Sequence, residues 1–406
     1  MSPRPAENLW IAVPTYWTWP TDEDGEERTV FDHPTPLNEE GTLGRTLESF
    51  THLEGRFKVL IVAAGAHPDL GPRVHDRVSE LIAPYAGRLE VALASPASLE
   101  RLNATLAEPI LSLDSYGNIR NVQLIVPFAL GADAVIGIDD DEVIPDRGYV
   151  AKAARWIGRP RDGDLVGGMA GPYYDAEGEY RIPGAEDLAD CPNLLLKKNY
   201  FMNRAVVESM ENVEADGLVR SNVAFGGNMV MSRPTIARTC HDPYIARGED
   251  YDYVVNAAMD GISFYFQPAM AITHLPPDST GSQAGDKLSK LVADIYRFIY
   301  MQEKMRQHRR HFPDETIDPD YLLPYPGPYL DPAVDLQAEA VAALDAKYPE
   351  FRRRRKCEDL VAEATDLARK KSEEFFDYRD RWRAALGSLE GNDAFLSVCA
   401  ELKLRA

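Results

Sequence analysis

The feature that most constrains this chain is the run Ala134-Val135-Ile136-Gly137-Ile138, stopped at once by Asp139-Asp140-Asp141. A short apolar, β-branched run bounded in this way reads as a buried strand of a parallel sheet. Three adjacent carboxylates cannot be buried inside a strand without partners, so they belong at or beyond its C-terminal end. In an open α/β sheet that end is where ligands bind. Side chains two apart on extended backbone face the same way, so Asp139 and Asp141 aim at one point while Asp140 looks elsewhere. Two converging carboxylates repel unless a cation neutralises them, and Mg²⁺ or Mn²⁺ suits an oxygen site of this kind. The alternative is a solvated acidic turn.

Apolar stretches before and after this run repeat the pattern. Leu9–Thr15 reads as a first strand ending at Pro14, and Phe57–Gly65 and Leu89–Ala94 as a second and third. Between them lie helical stretches: Asn38–Phe50, with Asn38 as N-cap and Glu39 and Glu40 at the positive end of the dipole, and Val74–Ala83. A helix opening at Gly117–Asn121 runs to Leu130. Further strands are expected at Leu165–Met169, Val223–Arg233 after a glycine turn, and Ser263–Gln267, with a short apolar run at Ala271–Pro277. Helices are expected at Tyr149–Ile157 and from Arg247 to Gly261, and Pro172–Arg220 reads as an irregular loop or flap. Alternation of this kind predicts an α/β fold with a doubly wound, mostly parallel sheet. From about Gln283 the pattern turns helical and polar, a C-terminal appendage.

A length of 406 residues with 45% hydrophobic and 27% charged content fits an ordinary globular chain of one large domain plus an appendage, or two domains. A net charge of -21 argues against nucleic acid, which needs a basic face. Four scattered cysteines without a CxxC pair predict reduced thiols in a cytoplasmic protein. There is no signal-peptide pattern and no apolar run long enough for a membrane span. The basic run Arg352–Lys356 reads as a solvated helix face paired with nearby glutamates, with an anionic acceptor or lipid surface as the other option.

The order of motifs from about residue 9 to 277 resembles nucleotide-sugar glycosyltransferases of the GT-A (Rossmann-like) fold, most closely the family 2 type. The matching stretches are Pro14-Thr15, Asn38-Glu39-Glu40, Gly117…Arg120-Asn121 and Asp139-Asp140-Asp141. They continue with Phe225-Gly226-Gly227-Asn228, Gly248-Glu249-Asp250 and a late His274. The resemblance implies a catalytic domain over 1–281, with a donor half at about 9–146 and an acceptor half at 147–281, followed by a helical region over 282–406.

It further implies a hexosyl transfer from a UDP- or GDP-sugar, with Mn²⁺ or Mg²⁺ held by Asp139 and Asp141. His274 is either a third metal ligand or a core histidine. Asp250 takes the position of the acceptor-side base for an inverting transfer, with Glu249 beside it, though both also suit a helix N-terminus. Arg120 matches a basic position near the donor, or else makes an ordinary helix-surface ion pair. Pro14, Thr15, Tyr16, Asp140, Gly226 and Gly227 complete the implied donor-binding set, the two glycines by letting backbone approach a substrate closely. The chain departs from the family pattern at Ala63-Ala64-Gly65, where an acidic residue usually contacts the nucleobase, and in a longer loop between Trp19 and Pro36. Tyr16, Trp17 and Trp19 offer a stacking face instead.

The acceptor (a small molecule, a glycan or a lipid-linked group) is expected to be chosen by Pro172–Arg220 and the C-terminal helices, which also offer a surface for a homo-oligomer. Three other readings stand beside this one. A retaining enzyme of the same fold is the first. A sugar-phosphate nucleotidyltransferase is the second, and it needs a Gly-rich, basic loop after the first strand where Tyr16–Pro20 stands. The third is a catalytically dead binding module.

Overall fold

The computed structural model describes residues 6–29, 31–161, 163–214, 217–277, 287–315, 317–353 and 355–403. Arg354 of the basic run, Gln283 and the expected boundary at 281/282 lie outside the described residues.

The main sheet contains strands β1 (Leu9–Thr18), β2 (Phe57–Gly65), β3 (Val91–Ala94), β4 (Ala134–Gly137), β5 (Asp164–Ala170), β6 (Val219–Arg220), β7 (Met229–Ser232) and β8 (Ser263–Phe266). Their order across the sheet is β6-β8-β5-β7-β4-β1-β2-β3. The half β4-β1-β2-β3 is parallel, β8 pairs β5 in parallel, and β7 runs antiparallel between β4 and β5. A doubly wound, mostly parallel sheet is therefore present.

Alternation decides which helices cover which face. On β1, Leu9, Ile11 and Val13 join a core with helices α1 (Leu43–Phe50), α2 (Gly71–Ile82) and α5 (Tyr149–Trp156). Trp10 and Ala12 turn to the other face, a core shared with α4 (Tyr116–Ala129) and α8 (Glu249–Met259). Helices α3 (Pro96–Asn103), α6 (Lys198–Glu211) and α7 (Arg233–Arg238) complete this part of the chain.

Several expected boundaries shift for local reasons. β1 runs on through Pro14 to Thr18. The Ala12 carbonyl accepts from Ile138 on the β4 side, and Pro14, two residues on, faces the same side after β4 has ended at Gly137. No ladder partner there needs the N–H that proline lacks. Helix α1 begins at Leu43 with Thr42 as its cap, while Asn38 exchanges hydrogen bonds with Thr21. The Pro172–Arg220 stretch, expected to be irregular, contains the 14-residue helix α6.

The helices beyond residue 286 are α9 (Lys287–His311), α10 (Gly327–Leu330), α11 (Leu336–Lys347), α12 (Cys357–Leu389) and α13 (Asp393–Glu401). They do not form a core of their own. Phe298 and Met301 of α9, Phe375 and Trp382 of α12, and Phe395 of α13 belong to the same hydrophobic cluster as Trp10 and the buried face of α4. Lys304 of α9 is fully buried and donates to Asp242 at 2.8 Å, Asp252 at 2.6 and 2.7 Å, and Asn256 at 2.9 Å. The Leu402 carbonyl accepts from Leu93 of β3 at 2.9 Å. In the basic run, Arg352 pairs with Asp345 and Glu358, and Arg355 pairs with Glu363, as a solvated face would. Among the described residues, no helix is long and apolar enough to cross a membrane.

Candidate active site

The acidic run lies where a ligand-binding edge is expected, just past the C-terminal end of β4. It lines a cavity of about 370 Å³ together with Tyr16, Tyr116, Arg120, Phe225, Glu249, Asp250 and His274. Every charged residue singled out from the sequence as catalytic or metal-binding therefore faces one space.

The turn that presents the carboxylates is fixed from beneath. Glu142, fully buried, accepts the Asp139 backbone N–H at 2.8 Å. Burial and the Asp139 charge push the Glu142 carboxyl well above its ordinary range. Asp140 points back to β1, accepting from the Thr15 hydroxyl at 2.7 Å, and its carbonyl accepts from Thr46 of α1 at 2.8 Å. Burial, opposed by that hydroxyl, pushes the Asp140 carboxyl up to about 7.

Asp139 meets Arg120, whose Nη2 lies 2.7 Å from its Oδ1, while Arg120 Nε lies 3.3 Å from Glu249. The guanidinium, 6% exposed, thus bridges the acidic run to the start of α8. It is a buried bridge rather than a surface pair, and it lines the cavity. The Arg120 contact is an ion pair without hydrogen-bond alignment, so Asp139 Oδ1 is buried with no aligned donor. Burial raises the Asp139 carboxyl, Arg120 opposes this, and the Asp141 charge adds to the rise. Asp141 stands 3.1 Å from His274 Nε2. Burial pulls the imidazole down, but the Asp141 bond and neighbouring carboxylates outweigh it and hold His274 above its ordinary value.

Asp250 sits in the first turn of α8, entered through Gly248 at φ +68°. Its carboxylate accepts from the Gly226 N–H at 3.3 Å and the Tyr251 N–H at 2.7 Å. Burial and the adjacent Glu249 charge push it up to about 6, against the pull of Arg297. At that value it is a proton acceptor poised near neutral pH.

Three expectations are corrected here. Gly226 and Gly227 do not line the cavity. A Cβ at Gly226 would overlap the Arg120 guanidinium and one at Gly227 the Glu142 carboxylate, so the glycines make room for protein side chains. Pro14 is buried in β1 away from the cavity lining. Of the expected aromatic face, only Tyr16 reaches the cavity, packed against Phe31 and Tyr116. Trp17 lies in the core, and the Trp19 indole donates to the Glu26 carbonyl at 3.0 Å.

Glu142, Lys198, Arg247 and Arg297 were not read from the sequence as site residues. For Glu142 a signal existed, a fourth carboxylate directly after the aspartates. Arg247 stands directly before Gly248-Glu249-Asp250, and Lys198 and Arg297 come from segments without a motif.

A divalent metal fits the donor set in kind. Asp139 and Asp141 supply carboxylate oxygens, one of them without an aligned donor, and such ions keep water and phosphate oxygens as further ligands. Among the described residues, no three His, Cys, Asp or Glu side chains are gathered as a ready-made cage. Arg120 and His274 occupy the positions beside the two carboxylates.

No protein-family model matches the sequence, and no curated protein does. Similar solved structures include a mannosyltransferase from Pyrobaculum calidifontis in complex with GDP-Man and Mn²⁺, at 17% identity and TM-score 0.44, covering 96% of this chain and 86% of that one. GalNAc-T7 with UDP, GalNAc and Mn²⁺ shows 12% identity and TM-score 0.39, over 85% of this chain and 58% of that one. Glucosyl-3-phosphoglycerate synthase from Mycobacterium tuberculosis, in complex with phosphoglyceric acid, shows 13% identity and TM-score 0.35, over 72% and 80%.

Proposed function

We propose that the protein is a metal-dependent glycosyltransferase that moves a sugar from a nucleoside-diphosphate sugar to an acceptor hydroxyl, with inversion. The observation that carries this reading is one cavity at the C-terminal edge of the sheet. It brings Asp139 and Asp141 together with Asp250, a carboxylate raised to about 6.

Asp139 and Asp141, with His274 as a third donor, are the residues that would hold Mn²⁺ or Mg²⁺. When bound, the ion neutralises the charge that develops on the departing diphosphate. The chain's own residues do the rest. Arg120 holds Asp139 in place and ties it to Glu249, so the metal side and the acceptor side share one rigid link. Tyr16 and Tyr116 give the donor an aromatic wall. Asp250 takes the proton from the acceptor hydroxyl as that oxygen attacks the anomeric carbon, and the nucleoside diphosphate leaves from the opposite face. Glu249, which accepts from Arg120, raises Asp250 by its charge. Its role is to position and tune.

The test is a panel of UDP- and GDP-sugars assayed for release of nucleoside diphosphate, with Mn²⁺ and with EDTA. Metal-dependent release from one donor is expected. No release from any of them, in either condition, contradicts the reading.

A further inference from the structure

Three cations from three separate elements meet at the cavity wall: Lys198 of α6, Arg247 just before α8 and Arg297 of α9. Each is drawn to the same carboxylate, Asp294. Lys198 Nζ is 2.5 Å from it, Arg297 Nη1 3.9 Å and Arg247 Nε 4.0 Å. Asp294 is the carboxylate that all three approach, and Arg297 also feels the Asp250 carboxylate of the same cavity. Only the lysine is within hydrogen-bond distance of Asp294.

Arg297 carries the stronger signal. Its side chain is 4% exposed, yet Nε and Nη2 have no hydrogen-bond partner. Unpaired donors on a buried charge are costly, and a site that tolerates them is built for an anion that supplies the acceptors. A guanidinium suits the two oxygens of a carboxylate or phosphate. The guanidinium also packs directly on Gly248, where a Cβ would overlap it, and Gly248 immediately precedes Glu249 and Asp250. Asp250 takes its hydrogen bonds from the backbone N–H groups of Gly226 and Tyr251, which leaves the Arg297 donors unspent.

We propose that Lys198, Arg247 and Arg297 form a subsite for an anionic group, a carboxylate or a phosphate, carried by the acceptor. Resting on the glycosyltransferase reading, this makes the acceptor a small hydroxylated anion rather than a neutral glycan. Binding the anion on Arg297 sets the acceptor beside the carboxylate that takes its proton, so charge recognition and orientation come from one contact. The subsite draws on α6 and α9, the two regions in which sequence reasoning placed acceptor choice without finding a motif.

Calorimetric titration of inorganic phosphate, and separately of glycolate, into the full chain in EDTA tests this without a metal to bridge the anion. One of the two is expected to bind the parent in the millimolar range. Arg247→Gln and Arg297→Gln are each expected to weaken it about tenfold or more, the scale of one lost charge-assisted hydrogen bond. Preference for phosphate or for glycolate identifies the group. GDP and UDP affinity in Mn²⁺ should stay close to the parent's.

Arg247 is only half-buried, so its variant keeps the test valid if Arg297→Gln fails to fold. Absence of saturable anion binding by the parent, or unchanged binding by folded Arg247→Gln, overturns the proposal. So does loss of nucleotide affinity in the same proportion, which would give the cations to the donor diphosphate. Failure of the parent to bind GDP or UDP in Mn²⁺ is read in a separate titration and counts against the glycosyltransferase reading alone.

Discussion

The guanidinium of Arg120 lies 2.7 Å from Asp139 and so fastens the acidic run at the end of β4 to helix α4, while its other edge reaches Glu249. Removing one partner of a buried ion pair leaves the other charge uncompensated, which costs about 3–5 kcal/mol. Arg120→Met is therefore expected to lower the melting temperature, with Asp139 and Glu249 left facing each other. Added Mn²⁺ should recover more stability in this variant than in the parent, because Asp139 no longer has a competing cation. Equal Mn²⁺ effects on both proteins would remove Asp139 from the metal site.

The carboxyl of Asp250 lies at about 6, raised chiefly by burial. A base works only when deprotonated, so kcat/KM is expected to rise with pH through about 6 and then level off. Asp250→Asn keeps the shape but cannot take the proton. Its kcat should fall by about 10² or more, with donor affinity nearly unchanged and the acid limb of the profile gone. Product configuration, read by NMR, bears on the same step: retention would leave Asp250 an acceptor-binding residue at most.

His274 touches Asp141 at 3.1 Å and remains 41% exposed at its side chain, which makes a packing role small. His274→Ala should weaken metal-dependent nucleotide binding while thermal stability changes little. A large stability loss with unchanged metal affinity would place it in the structure rather than the site.

Much of this was legible in the sequence because it depends on local pattern. The strands Phe57–Gly65 and Ala134–Gly137 follow from β-branched apolar runs, and the acidic edge follows from carboxylates that cannot enter a strand. Asp250 followed from the family resemblance, which set it at the acceptor-side position, while its place at a helix start offered only the alternative reading. What was missed depends on three-dimensional neighbours. Nothing in Phe225-Gly226-Gly227-Asn228 says that its glycines face Arg120 and Glu142 instead of a ligand. Lys198 is a single cation in α6 until folding brings it to Asp294, and Arg297, three residues after Asp294 on α9, reads as a helix-surface cation until packing buries it. The C-terminal helices read as an appendage because their polar composition hides how deeply they are buried. Lys304, fully enclosed by Asp242, Asp252 and Asn256, is polar in sequence and core in structure.

That buried lysine gives a further prediction. Lys304→Met fills the space but leaves two carboxylates enclosed without their cation, a loss of about 3–5 kcal/mol. Denaturant unfolding should show α9 and the sheet melting in one transition at lower denaturant. An unchanged midpoint would mean that α9 contributes little to the stability of the sheet.

The central claim is that nucleotide and metal bind together at Asp139 and Asp141, and a melting curve with UDP or GDP in Mn²⁺ or in EDTA tests it most directly. A ligand present at 100 times its Kd stabilises the fold by about 2.7 kcal/mol. The nucleotide should therefore raise the melting temperature by several degrees with Mn²⁺ and hardly at all in EDTA, and Asp141→Ala should abolish the difference. Equal shifts in the two conditions, or a metal-dependent shift that survives in Asp141→Ala, would contradict the account.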